Sequence, residues 1–399
     1  MIISAQDVKK HIDNLSRITE PNRPFTRKVF TSLYDDGRSY IKKHFLNLGL
    51  DIMYDDFANI LAIKQGKSKE CIFIGSHSDT VADGGRFDGI LGVVAAMVIA
   101  EKLKNTTLDK TLIFCDYFGE EPNEFGVSCV GSRGISGNLS KEQLNLKIGS
   151  NSLSDLIIKS GGNALFRTFN ELNLGKLLAS YELHIEQGNT LESLGEKIGI
   201  VSSIVGISRF SVEFNGVSNH AGTTALNLRK DALLNSSKFI VWLNEKAIQY
   251  DKKAYTVATV GRCDVLPNAA NVIANKVNIS IDLRSVSDEI RKEFIQEIIN
   301  KATSLNANAK LLSDSNSTPA DENIIKDLQI SAQELGVKTI TMPSGAGHDS
   351  AFMAKLAPMG MIFVPSKNGL SHHPDEYSSY EDCAMGIQIL LNSILRSYK

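Results

Sequence analysis

Two short β-branched runs, CIFIGSH from Cys71 and TLIFCDYF from Thr111, enclose an apolar stretch over 88–104. This strand–helix–strand rhythm predicts a mostly parallel sheet with helices on its faces. The longest apolar run, 89–100, is too short to span a bilayer and reads as a buried helix. At 399 residues the chain exceeds what one core usually holds, which predicts two domains or three.

The chain begins with MIISAQDVKKHID, an amphipathic helical pattern without the apolar core of a signal peptide. A helical insert is expected at about 141–171, ahead of a further strand, SYELHIEQG. Around Gly206 the texture changes, and SRFSVEFNG alternates as a half-exposed strand does. A helix over 229–246, strands YTVATVGRC and KVNISIDLR, a helix over 288–305 and a short strand near 309–312 follow. The order β-α-β-β-α-β is the split, ferredoxin-like unit. SDSNSTPADEN then reads as a hinge, and 324–399 returns to helix–strand alternation ending in a helix. The expected fold is α/β: a discontinuous domain over 1–207 and 320–399, its sheet flanked by helices, with an α+β domain inserted at 208–319.

Charge excludes some partners. With 43 basic against 45 acidic residues, nothing steers the chain onto nucleic acid or a membrane surface. Cys71, Cys115, Cys129, Cys263 and Cys383 form no C-x-x-C pair and read as reduced thiols, which sets the expected location as cytoplasmic.

Of eight histidines, only His11 and His44 lie in plain helical surroundings. The others fall in clusters rich in Gly, Asp, Ser and Glu, as loops at strand ends often are. In GSHSDTVADGGRFDG, His77 follows a strand, Asp79 shares its face if the strand continues, and Asp88 opens the next helix. Imidazole with carboxylate suits Zn, Mn, Co or Ni, and Asp79 is placed to orient the His77 ring. The alternative is a turn with capping aspartates. In DYFGEEPNEFG, one of Glu120 and Glu121 can ligate while the other holds a water as general base, unless the pair is a solvated acidic loop. His184 of YELHIEQG, between Glu182 and Glu186 on one strand face, is either a ligand or a satisfied core histidine. One of the adjacent His372 and His373 in GLSHHPDE can close a metal site, or both are surface residues.

Taken together, GSHSDT, GGRFDG, GEEPNEFG, GSRGISG, LHIEQG, NHAGTT, LPNAANVI, DLRS, SGAGHDS and SHHPDE resemble, in order and over nearly the whole chain, the metallopeptidase-like amidohydrolase family (peptidase M20). The resemblance is strongest to its N-carbamoyl-L-amino-acid hydrolase, allantoate amidohydrolase and β-ureidopropionase branch. It implies two divalent ions per subunit, with His77 and His184 on one, Glu121 and His372 on the other, and Asp88 bridging. It further implies Glu120 as general base and His220 polarising the scissile carbonyl. Asn271 and Arg284 would grip a substrate carboxylate, Gln187 would contact substrate, and the backbone around Gly345 to Gly347 with His348 would line the pocket. His184, where peptidase relatives usually carry a carboxylate, marks the non-peptide amidases. Ala82, Ala225 and Ala274 stand where many relatives have Pro, and Glu124 departs from the pattern before Phe125, which leaves the polarity of one pocket wall open.

KVNISIDLRS independently sets Asn278, Ser280, Asp282 and Arg284 on one face, where Arg284 can present a bidentate fork or form a surface ion pair. The expected activity is hydrolysis of an N-carbamoyl-L-amino acid to the amino acid, ammonia and carbon dioxide. Allantoate or ureidoglycolate hydrolysis is the alternative, ahead of an aminoacylase or dipeptidase and of a non-catalytic binding protein. The inserted domain is expected to act as a lid and to mediate a homodimer through its open sheet edges.

Overall fold

The computed structural model describes residues 1–398. The first helices form from local signals. In α1 (Ala5–Ser16), Ser4 and Asp7 make a capping box, and Val8, His11, Ile12 and Leu15 form one buried stripe. In α2 (Ser32–Asn47), Thr31 caps the N-terminus and Tyr34, Ile41 and Phe45 are buried. Strands β1 (Asp51–Tyr54), β2 (Ile60–Lys64) and β3 (Cys71–His77) follow, then α3 (Ile90–Leu103) and β4 (Thr111–Tyr117). α3 is buried on nearly every side, which explains its unbroken apolar sequence.

The 141–171 segment is more broken than a helical insert. It holds α5 (Lys141–Leu144) after the short α4 (Val130–Ile135), a two-stranded hairpin of β5 (Lys147–Ile148) and β6 (Asn151–Ser152), and α6 (Leu153–Lys159). Gly149, at φ 60°, supplies the left-handed residue of the hairpin turn. Next come β7 (Leu177–Ile185), α7 (Thr190–Leu194) and β8 (Gly199–Ile204). After them run β9 (Gly206–Asn215), α8 (Ala232–Asp251), β10 (Thr256–Leu266), β11 (Lys276–Ser285), α9 (Asp288–Ser304) and β12 (Ala307–Ser315). The chain ends with β13 (Thr318–Pro319), α10 (Glu322–Glu334), β14 (Ile340–Ser344), α11 (Ser350–Met353), β15 (Met359–Val364) and α12 (Tyr380–Tyr398).

The chain divides into two compact units. The larger comprises Met1–Ser202, Ala320–Met342 and Gly347–Lys399; the smaller comprises Ser203–Pro319 and Pro343–Ala346. In the larger unit the strand order is β1-β2-β4-β3-β7-β15-β8. Only the centre, β4-β3-β7-β15, is parallel; β1, β2 and β8 add antiparallel flanks. The parallel strands β3, β4 and β15 are buried along their whole length because helices cover both faces.

The smaller unit's sheet runs β10-β11-β9-β12, antiparallel throughout, the order of a ferredoxin-like unit. Val277, Ile279, Ile281 and Leu283 of β11 meet Phe239 of α8 and Phe294 and Ile298 of α9 in its core. Strict alternation on β11 leaves its other face partly open, as a sheet covered on one side requires.

Candidate metal centre

In an open α/β sheet, ligands gather beyond the carboxyl ends of the parallel strands. His77 is the last residue of β3, Glu120 and Glu121 follow β4, His184 is near the end of β7, and His372 lies in the segment after β15. Asp88 sits just ahead of α3. The cluster lies wholly within the larger unit.

Asp88 organises it. Its Oδ1 lies 3.2 Å from His184 Nε2 and 3.7 Å from His77 Nε2, while its Oδ2 lies 3.1 Å from His372 Nε2. Glu121 Oε1 is 3.4 Å from His372 Nε2, and Glu120 Oε2 is 3.7 Å from His77 Nε2. His77, Asp88 and His184 thus form one group of convergent ligand atoms, and Asp88, Glu121 and His372 a second that shares the carboxylate. Ligands about 2.0–2.1 Å from a tetrahedral ion stand about 3.3 Å apart, close to these spacings.

The donor chemistry fits a cation as well. Asp88, Glu120 and Glu121 are buried together, and among the described residues only histidines lie within ion-pair distance of them. Burial and the charges of Asp88 and Glu120 push the Glu121 carboxyl well up. Burial alone would raise Asp88 too, but hydrogen bonds to His184 and His372 hold it well below the usual carboxylate range. Gln187 donates Nε2–H to Asp88 Oδ2 at 2.8 Å, and its Oε1 is buried without a partner.

Neighbouring residues fix these candidate ligands. β3 stops at His77, so Asp79 is not on the strand. Even so, its Oδ1 is 3.4 Å from His77 Nδ1, and its carboxylate accepts the backbone N–H of both Glu120 and Glu121. One aspartate therefore ties the β3 and β4 loops together. His184 Nδ1 lies 2.9 Å from Ile185 O, a contact that holds the ring with Nε2 toward Asp88 Oδ1. Glu120 Oε1 accepts from Cys129 Sγ at 3.2 Å, and burial raises its carboxyl, opposed by His77.

Sequence reasoning missed Glu376. It is buried, and its Oε1 accepts the backbone N–H of Phe87 at 2.8 Å and of Asp88 at 3.0 Å. Ser371 Oγ lies 2.9 Å from Asp88 Oδ2 and 3.0 Å from Glu376 Oε2. A Cβ on Gly85 would overlap the Glu376 carboxylate, and one on Gly89, at φ 66°, would overlap the His77 ring. The glycines of GGRFDG were the available signal: they make room for a carboxylate 291 residues along from Gly85 and for an imidazole.

His348 is buried with its ring against that of His184, centroids 4.5 Å apart, and burial with the His184 charge holds its pKa well down. Glu182, His184 and His348 also bring ligand atoms together. The Glu182 carboxylate, however, already accepts from Ser76 Oγ and from Ser350 N and Oγ. Gly347 and Glu124 are exposed, and so is His373 beside Asp375.

His220, Asn271 and Arg284 belong to the smaller unit. His220 Nδ1 accepts the backbone N–H of Gly222 and Thr223, which leaves Nε2–H as a free-standing donor on an exposed ring. Asn271 is next to it, its carbonyl accepting Ala221 N–H at 3.0 Å. Arg284 already pairs through Nε with Asp282 Oδ1 at 2.6 Å and donates Nη1–H to Gly345 O at 2.8 Å.

Residues 73–396 match the model of peptidase family M20/M25/M40. An N-carbamoyl-L-amino-acid amidohydrolase of Pseudomonas sp. (strain NS671) is 31% identical, over 99% of this chain and 98% of that protein. An allantoate amidohydrolase of Bacillus subtilis (strain 168) is 33% identical, over 93% and 92%. The crystal structure of a hydantoinase/carbamoylase-family amidase from Burkholderia multivorans superposes with a TM-score of 0.89 at 25% identity, covering 99% of this chain and 98% of that one.

Proposed function

Because this chain belongs to peptidase family M20/M25/M40 and is an amidohydrolase acting on linear amides, we propose that it cleaves an N-carbamoyl-L-amino acid to the L-amino acid, ammonia and carbon dioxide. The observation that carries the reading is the division of Asp88, one oxygen toward His77 and His184, the other toward His372. His77, Asp88, Glu121, His184 and His372 would hold two divalent ions, from among Zn, Mn, Co and Ni, which when bound would supply polarisation of the scissile carbonyl and a lowered pKa for the attacking water.

The chain's own residues do the rest. Glu120, held by Cys129, takes a proton from the water as it attacks the carbamoyl carbon, then returns it to the leaving amino nitrogen. The carbamic acid left behind falls apart to ammonia and carbon dioxide. His220 donates Nε2–H to the carbonyl oxygen as negative charge grows there. Asn271 and the remaining guanidinium edge of Arg284 bind the substrate carboxylate.

The smaller unit also mediates a homodimer in this proposal. Two features support it: β10 and β12 are open edges, and Leu234, Val241 and Ile248 are exposed at seven-residue intervals on α8. The reaction is tested by assaying the metal-reconstituted enzyme on N-carbamoyl amino acids, ureidopropionate, allantoate, ureidoglycolate and dipeptides. Highest kcat/KM on a carbamoyl amino acid is expected. Preference for allantoate or ureidoglycolate would move the substrate within the branch, and preference for dipeptides would sink the reading.

A further inference from the structure

His11 of α1, His44 of α2 and Glu101 of α3 meet inside the larger unit, separate in sequence from every residue of the Asp88 cluster. His11 Nε2 lies 3.4 Å from Glu101 Oε1, and His44 Nε2 lies 3.7 Å from the same oxygen. The two rings are edge to face with centroids 4.7 Å apart. His11 is 1% exposed.

The second nitrogens are committed in the way metal-binding imidazoles require. His44 Nε2 is sealed from solvent with no hydrogen-bond partner, while the Met97 backbone engages the ring's other nitrogen. With the hydrogen of that other nitrogen directed at the backbone, the orphaned Nε2 is left with its lone pair. His11 Nδ1 is 2.8 Å from Tyr40 Oη, which also accepts from Asn14 Nδ2. His11 Nε2 also hydrogen-bonds Glu101 Oε1 at 3.4 Å, so with Nδ1 held by Tyr40 it becomes a ligand by giving up the proton it donates there. The competing cation is Lys10, whose Nζ is 3.6 Å from Glu101 Oε1 on an exposed side chain free to swing away.

We propose that His11, His44 and Glu101 form an additional divalent-cation site, suited to Zn²⁺, that ties α1, α2 and α3 together. Two imidazoles and one carboxylate are a zinc ligand set, with a water as the fourth ligand, and the oxygen–nitrogen spacings match tetrahedral edges of about 3.3 Å. The site is structural, and it is independent of the reaction proposed above.

The test uses the full chain with Asp88→Ala, which disables the other cluster. Stripped with a chelator and titrated with Zn²⁺, this variant should retain zinc, and its melting temperature should rise with the metal. Adding His44→Gln or Glu101→Gln should abolish both effects. Zinc retention insensitive to these substitutions, or none in the folded Asp88→Ala chain, overturns the proposal. A measurement without substitutions guards against misfolded variants: Zn²⁺ should slow amide exchange over 5–16 and 32–47 in the unaltered chain. Unchanged exchange there overturns it equally.

Discussion

Glu376 offers a sharp test of how the Asp88 cluster is held. Its Oε1 accepts two backbone N–H groups, one of them that of Asp88, in a buried setting. Truncation in Glu376→Ala leaves both donors without an acceptor, at about 1–3 kcal/mol each. The 83–89 loop can escape that cost only by moving, and moving displaces the shared carboxylate. Residues that orient metal ligands are typically worth 10–100-fold in affinity, and with two bonds lost the upper end, about 100-fold, is expected. Burial beside the Asp88 charge pushes the Glu376 carboxyl up to about 7, so Gln is a close mimic of its protonated form. Glu376→Gln keeps an oxygen for both N–H groups, and its amide can donate to Ser371 Oγ in a reversed bond. Its loss should stay near twofold, the lower end of what one exchanged hydrogen bond contributes, about 0.5 kcal/mol. The assay is competition for Zn²⁺ or Mn²⁺ against a chromophoric chelator, with circular dichroism to confirm folding. Unchanged affinity in folded Glu376→Ala, or equal losses in the Ala and Gln variants, would refute the reasoning.

Gly85→Ala should weaken metal binding as Glu376→Ala does, since the new Cβ drives the same carboxylate away; chelator competition decides, and wild-type affinity would count against it. Glu120→Gln should retain its metals yet lose roughly 10²-fold or more in kcat, because an amide cannot take the water's proton; near-normal turnover would point to Glu121 instead. Arg284→Ala should raise KM for a carbamoyl amino acid while leaving metal content unchanged, and Lys should rescue poorly for want of a fork; equal KM values for substrate and its decarboxylated analogue in the wild type would remove Arg284 from carboxylate binding. Val241→Glu, on a side chain 59% exposed, should shift the mass in light scattering from dimer to monomer; an unchanged mass would exclude this face of α8.

Much of the molecule was legible before any coordinates because the signals are local. Alternation along KVNISIDLRS reports which side of β11 meets the core, since strand side chains alternate by geometry. The apolar run 89–100 is buried on all sides for the same kind of reason. The residues gathered around Asp88 stood out because their motifs, in order, resemble those of a known family, and strand-end loops are short enough for a few residues of motif to bring such side chains together.

What pairs with what across the fold was not legible. Asp88 N reaches Glu376 over 288 residues of chain, and no periodicity links the two. Arg284 stood out in the sequence as a fork for a substrate, but nothing there announced that Asp282, two residues away on the same strand face, takes one edge of it. His11 and His44 sit in unremarkable helical text; only the packing of α1 and α2 on α3 brings them to Glu101. Residue order thus determined most of the elements and the two-unit architecture, because those depend on local backbone geometry and on which face is apolar. The tertiary structure alone decided which oxygen of Asp88 faces which histidine, because hydrogen-bond partners and lone-pair directions are set by distant segments brought within about 3 Å of one another.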